Sequence, residues 1–302
     1  MKTALIMGGT PNLAGPSGVT YLSLKFMSPK LFNSSDKFFY STENISLKDF
    51  NALKNIGIQT RLFEAQISQK ASSYIRYFSK GILAKFEVFR LLEFYDRVLW
   101  FDNDQICIRE LLEVVDKNSE KDFFIVGSGD DFGGWSNFTR NPVELNKWLM
   151  HNPNVTFDAP GICGNFYCVS KKSDAYFKGL DLFKQMQSEL YGGEQGIIYI
   201  LMQICFSQNV LLDNKMFSPH PNEWPFDKLL NVHENNRPYF IHAYSQPKFW
   251  NGLEYVPWNF FYGEWLKNGG GSFMHLNQSS FPNISKFKAA VSKFRNIIKG
   301  IE

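Results

Sequence analysis

The chain alternates between short, dense apolar runs and longer segments whose apolar residues recur at helical spacing. Residues 4–7 (ALIM) read as a buried strand that runs into a Gly/Pro-rich loop over 8–18, and a helix is predicted over 19–27. Residues 38–40 (FFY) and 60–64 are further strand candidates, and between them Ser46 can cap a helix over Leu47–Asn55 that Gly57 ends. Ile82, Phe86, Phe89 and Leu92 recur at helical spacing within residues 82–94. Arg97–Phe101 (RVLWF) is then a strongly apolar strand, stopped by Asp102-Asn103-Asp104, and residues 122–127 form another. In the second half, 157–170 read as strand, 174–190 as helix, and a Gly-rich turn at 192–196 opens a helix over 197–206. Strands alternating with helices at this spacing predict an α/β fold, a mostly parallel central sheet with helices on both faces. Neither a repeat nor a low-complexity linker divides the chain, so one catalytic domain over 1–270 is expected, followed by a C-terminal tail over 271–302.

Composition narrows this only a little. Of 302 residues, 44% are apolar and 20% charged, which excludes a disordered chain or a coiled coil. No apolar run reaches the ~18 residues of a membrane span. The apolar stretch at the start is too short for a secretory signal, so a cytoplasmic protein is expected. The four cysteines form no CxxC pair and are expected to be free, reduced and buried. If Cys163 and Cys168 share one strand, their odd spacing predicts opposite faces. Of the net charge of +3, residues 285–302 carry +4, with Lys286, Lys288, Lys293, Arg295 and Lys299 set against Glu302. The rest of the chain is therefore at −1, which argues against general nucleic-acid binding. In the tail, Phe287, Val291, Phe294, Ile298 and Ile301 form one apolar stripe. This predicts a basic amphipathic helix over 285–301 that can lie peripherally on an anionic membrane surface. The alternative is a terminal helix docked on the protein itself.

Asp102 and Asp104 carry the clearest chemistry. They are two residues apart where a buried strand stops, so in extended backbone both carboxylates face one side. Open α/β sheets bind ligands beyond the carboxyl ends of their strands. Two hard oxygen ligands there suit Mg²⁺ or Mn²⁺, with a substrate's phosphates completing the shell. There is no GxxxxGK[ST] loop, and residues 8–18 do not fit GxGxxG, so a P-loop or dinucleotide site is disfavoured.

Residues 84–87 (AKFE) and 95–104 (YDRVLWFDND) resemble the core of the family-8 retaining glycosyltransferases, which include glycogenin and bacterial lipopolysaccharide galactosyl- and glucosyltransferases. Three further segments match in order: 157–161 (FDAPG) is similar to the family's F-N-[AS]-G, 192–196 (GGEQG) to its G-D-Q-G, and 239–250 (YFIHAYSQPKFW) to its H-x-x-G-x-x-K-P-W. The resemblance covers roughly residues 1–255 and implies a GT-A fold, a UDP-sugar donor, Mn²⁺ (or Mg²⁺) and transfer with retention to a saccharide acceptor. A bacterial lipopolysaccharide or surface glycan is the acceptor expected.

Carried over by position, Asp102, Asp104 and His242 are the implied metal ligands. Lys248 is implied as the diphosphate clamp, with Lys85 and Asn103 on the donor side. Gln195 is implied beneath the sugar ring, with Glu194 beside it, and Asp130 or Asp131 at the donor-sugar hydroxyls. Thr10, Asn12 and Asp158 complete the implied donor contacts. The sequence departs from the family pattern at Glu194, Asp158, Pro160, Ser245 and Phe249, and a second register places Cys163-Gly164-Asn165 at the N-[AS]-G position. Trp250 and Trp258 are candidates for lining the acceptor side, but in so aromatic a chain they read as ordinary core residues. Two rival readings remain: a catalytically lost glycan- or nucleotide-binding protein of the same fold, and a sugar nucleotidyltransferase. The absence of any basic residue in 8–18 counts against the second.

Overall fold

The structure is a computed structural model that describes residues 1–64, 80–129, 147–186, 194–274 and, in the tail, 292–294, 296 and 298. Apolar alternation builds a seven-stranded sheet. Strand β1 (Thr3–Gly9) is fully buried and lies parallel to β2 (Ser35–Ser41), which pairs in parallel with the edge strand β3 (Gln59–Leu62). On its other side β1 pairs in parallel with β4 (Arg97–Phe101), whose bounds are those the sequence predicts. Beyond β4, the sheet continues through an antiparallel strand, β7 (Ile162–Val169), to β6 (Phe123–Gly127) and finally β8 (Asn209–Leu212), giving the order β3-β2-β1-β4-β7-β6-β8. A separate antiparallel ribbon pairs β5 (Gln105–Cys107) with β9 (Phe240–His242).

Helices cover both faces. Leu5, Met7, Phe39, Leu99 and Phe101 point to one side, against α1 (Ala14–Met27), α2 (Leu47–Asn55) and α6 (Val256–Lys267). Ala4, Ile6, Phe38, Val98 and Trp100 point to the other, against α3 (Glu87–Leu91), α4 (Ala175–Met186) and α5 (Glu194–Cys205). The period-2 alternation of each strand thus separates two cores. Ser46 caps α2 as predicted, accepting from the Asp49 N–H at 3.0 Å, and Gly57 follows it at φ +87°. Among the described residues no helix is long and apolar enough to cross a membrane.

Three local expectations are corrected, and the structure bears on a fourth. First, α1 begins at Ala14, inside the predicted loop, because its glycines serve packing rather than a turn. A Cβ on Gly15 would lie 2.3 Å from the Phe273 ring, and one on Gly18 2.2 Å from the Trp265 ring of α6. Second, residues 82–94 are not one α-helix. Lys80–Phe86 winds as a 3-10 helix before α3. This segment presses onto the end of β1, where a Cβ on Gly8 would come 2.4 Å from the Ala84 Cβ. Third, Cys163 and Cys168 both reach the first core. The β6–β7 register jumps from Tyr167 opposite Ile125 to Cys163 opposite Val126. The extra residues on β7 form a bulge that reverses the expected parity. Fourth, Phe294 is fully buried against Phe226, Phe260 and Phe261, and Ile298 is 5% exposed in the same core. These two members of the tail stripe therefore face the protein and not a membrane surface. Phe287, Val291 and Ile301 lie outside the described residues.

Helix α6 approaches α1 at Gly18 with no room for a methyl group. Gly18→Ala is expected to destabilise the protein by about 1–3 kcal/mol through overpacking. Gly263→Ala, on α6 with open space at its Cβ, is expected to be neutral or stabilising by about 0.4–1 kcal/mol. Denaturant unfolding of the two variants side by side checks the contrast.

Candidate functional site

The candidate site lies at the carboxyl ends of β1 and β4. The carboxyl ends of strands are the usual ligand position in such sheets. Asp102 leaves β4 with its N–H held by the Asn165 carbonyl at 2.8 Å. The Trp100 indole N–H, two residues earlier, donates to its Oδ1 at 2.7 Å. The chain then turns at Asn103-Asp104 rather than staying extended. Asn103 is fixed by protein groups: its amide donates to Gly8 O at 3.0 Å, and Ser17 of α1 donates to its Oδ1 at 2.8 Å.

Two charge clusters flank this turn. On one side Lys85 is 6% exposed, with its Nζ 3.0 Å from Asp102 Oδ1 and 3.1 Å from Glu194 Oε1, and it donates to Gly164 O at 3.1 Å. Burial opposes its charge, but the two carboxylates outweigh that and hold its pKa above the ordinary lysine range. On the other side, β5 and β9 pair Gln105 with His242, which brings His242 Nε2 to 3.1 Å from Asp104 Oδ1. Lys248 Nζ lies 2.5 Å from Asp104 Oδ2 and donates to Ala243 O at 2.7 Å. Burial would raise the Asp104 pKa, yet His242 and Lys248 hold it well below the carboxylate range. Burial likewise lowers that of His242, but the facing carboxylate prevails and lifts it from 6.5 to about 10. His242 Nδ1 is 2.8 Å from Ser218 Oγ.

Asp102, Asp104 and His242 each offer one ligand atom, and these atoms all lie within 4.8 Å of one another. Two carboxylates and an imidazole make a hard, mixed O/N donor set that fits Mn²⁺ or Mg²⁺. Beside them opens a cleft of about 220 Å³. Lys85, Asp102, Asp104 and Lys248 supply its polar groups, while Gly8, Gly9, Leu13, Gly81, Ile82 and Trp250 supply apolar wall. A polar, charged end joined to an aromatic and aliphatic wall suits a phosphorylated ligand with a flat or hydrophobic group attached.

The structure thus brings together Asp102, Asp104, His242, Lys248, Lys85, Glu194 and Asn103. Gln195 lies next to this group: its Nε2 donates to Ile162 O, and its Oε1 is 3.8 Å from where a Gly164 Cβ would sit. Thr10 and Asn12 bond to each other at 2.5 Å in the loop after β1, and neither lines the cleft. Asp158 is exposed, its N–H donating to Thr156 Oγ1, and it does not line the cleft either. Its neighbour Phe157 is buried and stacks on Tyr199. The second register is the one that reaches the site, since Cys163, Gly164 and Asn165 occupy the β7 bulge beside Lys85, Asp102 and Ser218. Asp130 and Asp131 lie outside the described residues. Sequence reasoning set Trp250 aside, but it lines the cleft. It also missed Trp100 and Ser218. Trp100 could have been found from its i−2 spacing to Asp102 on one strand face.

No protein-family model and no curated protein matches the chain. Solved structures do. The galactosyltransferase LgtC, in complex with donor and acceptor sugar analogs, superposes with a TM-score of 0.60 at 14% identity, covering 92% of this chain and 98% of LgtC. The bifunctional glycosyltransferase WbbM superposes with a TM-score of 0.57 at 14% identity, covering 96% of this chain. The chain spans about half of WbbM's length (51%). The likeness shows the fold: this chain has the GT-A architecture of those glycosyltransferases.

Because Lys85 stands between two carboxylates in the interior, removing its charge takes a cationic partner from both. Lys85→Met is expected to destabilise the protein by about 3–5 kcal/mol. Denaturant unfolding measures it, and a loss under about 1 kcal/mol would place the pair in solvent-like surroundings.

Proposed function

We propose that the chain is a divalent-cation-dependent glycosyltransferase that moves a hexose from a UDP-sugar to a saccharide acceptor with retention of configuration. The observation that carries the reading is the convergence of Asp102, Asp104 and His242 with Lys248 at the mouth of one cleft. The shared GT-A architecture supports the reaction class. Uridine, hexose, retention and a lipopolysaccharide or surface-glycan acceptor rest on the motif resemblance at residues 84–104, 192–196 and 239–250.

In this reading Asp102, Asp104 and His242 hold Mn²⁺ or Mg²⁺, which supplies positive charge to the donor's diphosphate. Charge bookkeeping agrees. Asp102, Asp104 and Glu194 against Lys85 and Lys248 leave −1 with His242 neutral. A divalent cation turns that to +1, which suits an anionic diphosphate. Lys248 sits at the cleft wall on a short tether from Asp104, where its ammonium can follow the charge that builds on departing UDP. Lys85 stays with Asp102 and Glu194 and holds Asp102 oriented. Gln195, beside Gly164, is the amide closest at hand to support positive charge on the sugar.

Incubation with a panel of nucleotide-sugars, Mn²⁺ and simple saccharides tests this. Nucleotide release is expected with UDP-sugars, and product NMR is expected to give the donor's anomeric configuration. Asp104→Asn is expected to lower turnover by about 10²-fold or more. Binding of UDP without turnover of any sugar would leave a binding protein, and binding of no nucleotide would remove the donor site altogether.

A further inference from the structure

The proposed metal centre needs His242 in one tautomer. To ligate through Nε2, the ring must carry its proton on Nδ1, and a ring presenting Nε2–H would point a proton at the cation. Ser218 Oγ faces Nδ1 at 2.8 Å, and the Cys163 thiol also interacts with the ring. A hydroxyl can donate or accept, so it fixes a tautomer only if its own proton is engaged elsewhere. Here a second partner is present. Cys163 Sγ lies 3.5 Å from Ser218 Oγ, within reach of a bond to sulfur.

Resting on the metal-centre reading, we propose that Ser218 and Cys163 are positioning residues that lock His242 as the Nδ1–H tautomer. Ser218 donates its proton to the Cys163 sulfur and turns a lone pair to His242, whose Nδ1–H donates to it. The Nε2 lone pair then faces Asp104 and Asp102. The contacts already present without a cation run the same way, with Ser218 Oγ 2.8 Å behind Nδ1 and Asp104 Oδ1 3.1 Å in front of Nε2. No hydrogen bond behind the ring has to reverse when the ligand arrives, so the ring plane is set in advance.

The pair is held from all sides. Ser218 and His242 are 2% and 4% exposed. Ser218 closes a short helix, Asn214–Phe217, with its N–H donating to Asn214 O at 2.8 Å. Phe217 stacks on Tyr239 at 4.6 Å and on Phe166 at 5.8 Å, and its carbonyl accepts from the Asn165 amide at 3.0 Å. Cys163 comes from the bulged strand β7, whose parity reversal turns it toward Ser218.

Titration of the full-length chain with Mn²⁺ alone, followed by the EPR signal of free Mn²⁺, tests the assignment. Ser218→Ala is expected to weaken the dissociation constant by about 10–100-fold, the usual cost of removing such a partner. Ser218→Thr, which keeps the hydroxyl, is expected to restore it. Cys163→Ala is expected to fall between wild type and Ser218→Ala. Melting temperatures recorded alongside separate folding from binding. Wild-type affinity in a folded Ser218→Ala, no recovery in Ser218→Thr, or an unchanged Cys163→Ala would each overturn the proposal. If Ser218→Ala does not fold, Cys163→Ala decides alone. A wild-type chain that binds no Mn²⁺ would sink the metal reading and this one together, whereas equal binding by wild type and Ser218→Ala would sink only this one.

Discussion

Three carboxylates, Asp102, Asp104 and Glu194, converge at the end of the sheet. Left unpaired there, each would cost several kcal/mol in lost hydration. The surrounding structure answers with Lys85, Lys248 and His242. Much of what is irregular in the fold delivers these partners. The 3-10 stretch Lys80–Phe86 pushes Lys85 beneath Asp102. The bulge in β7 presents Gly164 O to Lys85 and Asn165 O to the Asp102 N–H. The β5–β9 ribbon sets His242 beside Asp104. Gly8 and Gly81 let the first strand and the 3-10 segment approach to contact.

The same compensation explains why the cluster suits a ligand. A set of charges balanced entirely among themselves would have no capacity left. Here the Asp104 side is balanced in part by a group that can be displaced, the ammonium of a long, flexible lysine that is itself 18% exposed. The Lys85 side is locked between two acids and a carbonyl. One half of the site is therefore rigid support and the other half exchangeable. Pre-organised sites that bind and release a charged substrate need both.

Much of this was legible in the sequence where chemistry is local. The RVLWF run gives β4 residue for residue, and the acidic pair at its end marks the site. The motif resemblance singles out His242 and Lys248, and the structure sets both against Asp104. What escaped depends on tertiary contact. The glycines of α1 look like a loop until Trp265 and Phe273 are packed against them. Cys163 faces the first core only because β7 bulges, and no periodicity argument can see a bulge. Motif spacing points to Asp158, yet Phe157 beside it is buried against Tyr199 and the segment that meets the site lies a few residues on. The tail stripe is amphipathic in either setting, and only the contacts of Phe294 with Phe226, Phe260 and Phe261 show that the protein itself covers it there.

In the proposed site one divalent cation is held by His242 and two aspartates while touching a nucleotide's phosphates. Electron–nuclear double resonance of Mn²⁺ bound to the protein with UDP reads both halves at once. Coupling to one imidazole nitrogen, lost in His242→Ala, is expected together with ³¹P coupling from the nucleotide. Mn²⁺ showing phosphorus coupling but no nitrogen coupling, or neither, would contradict it.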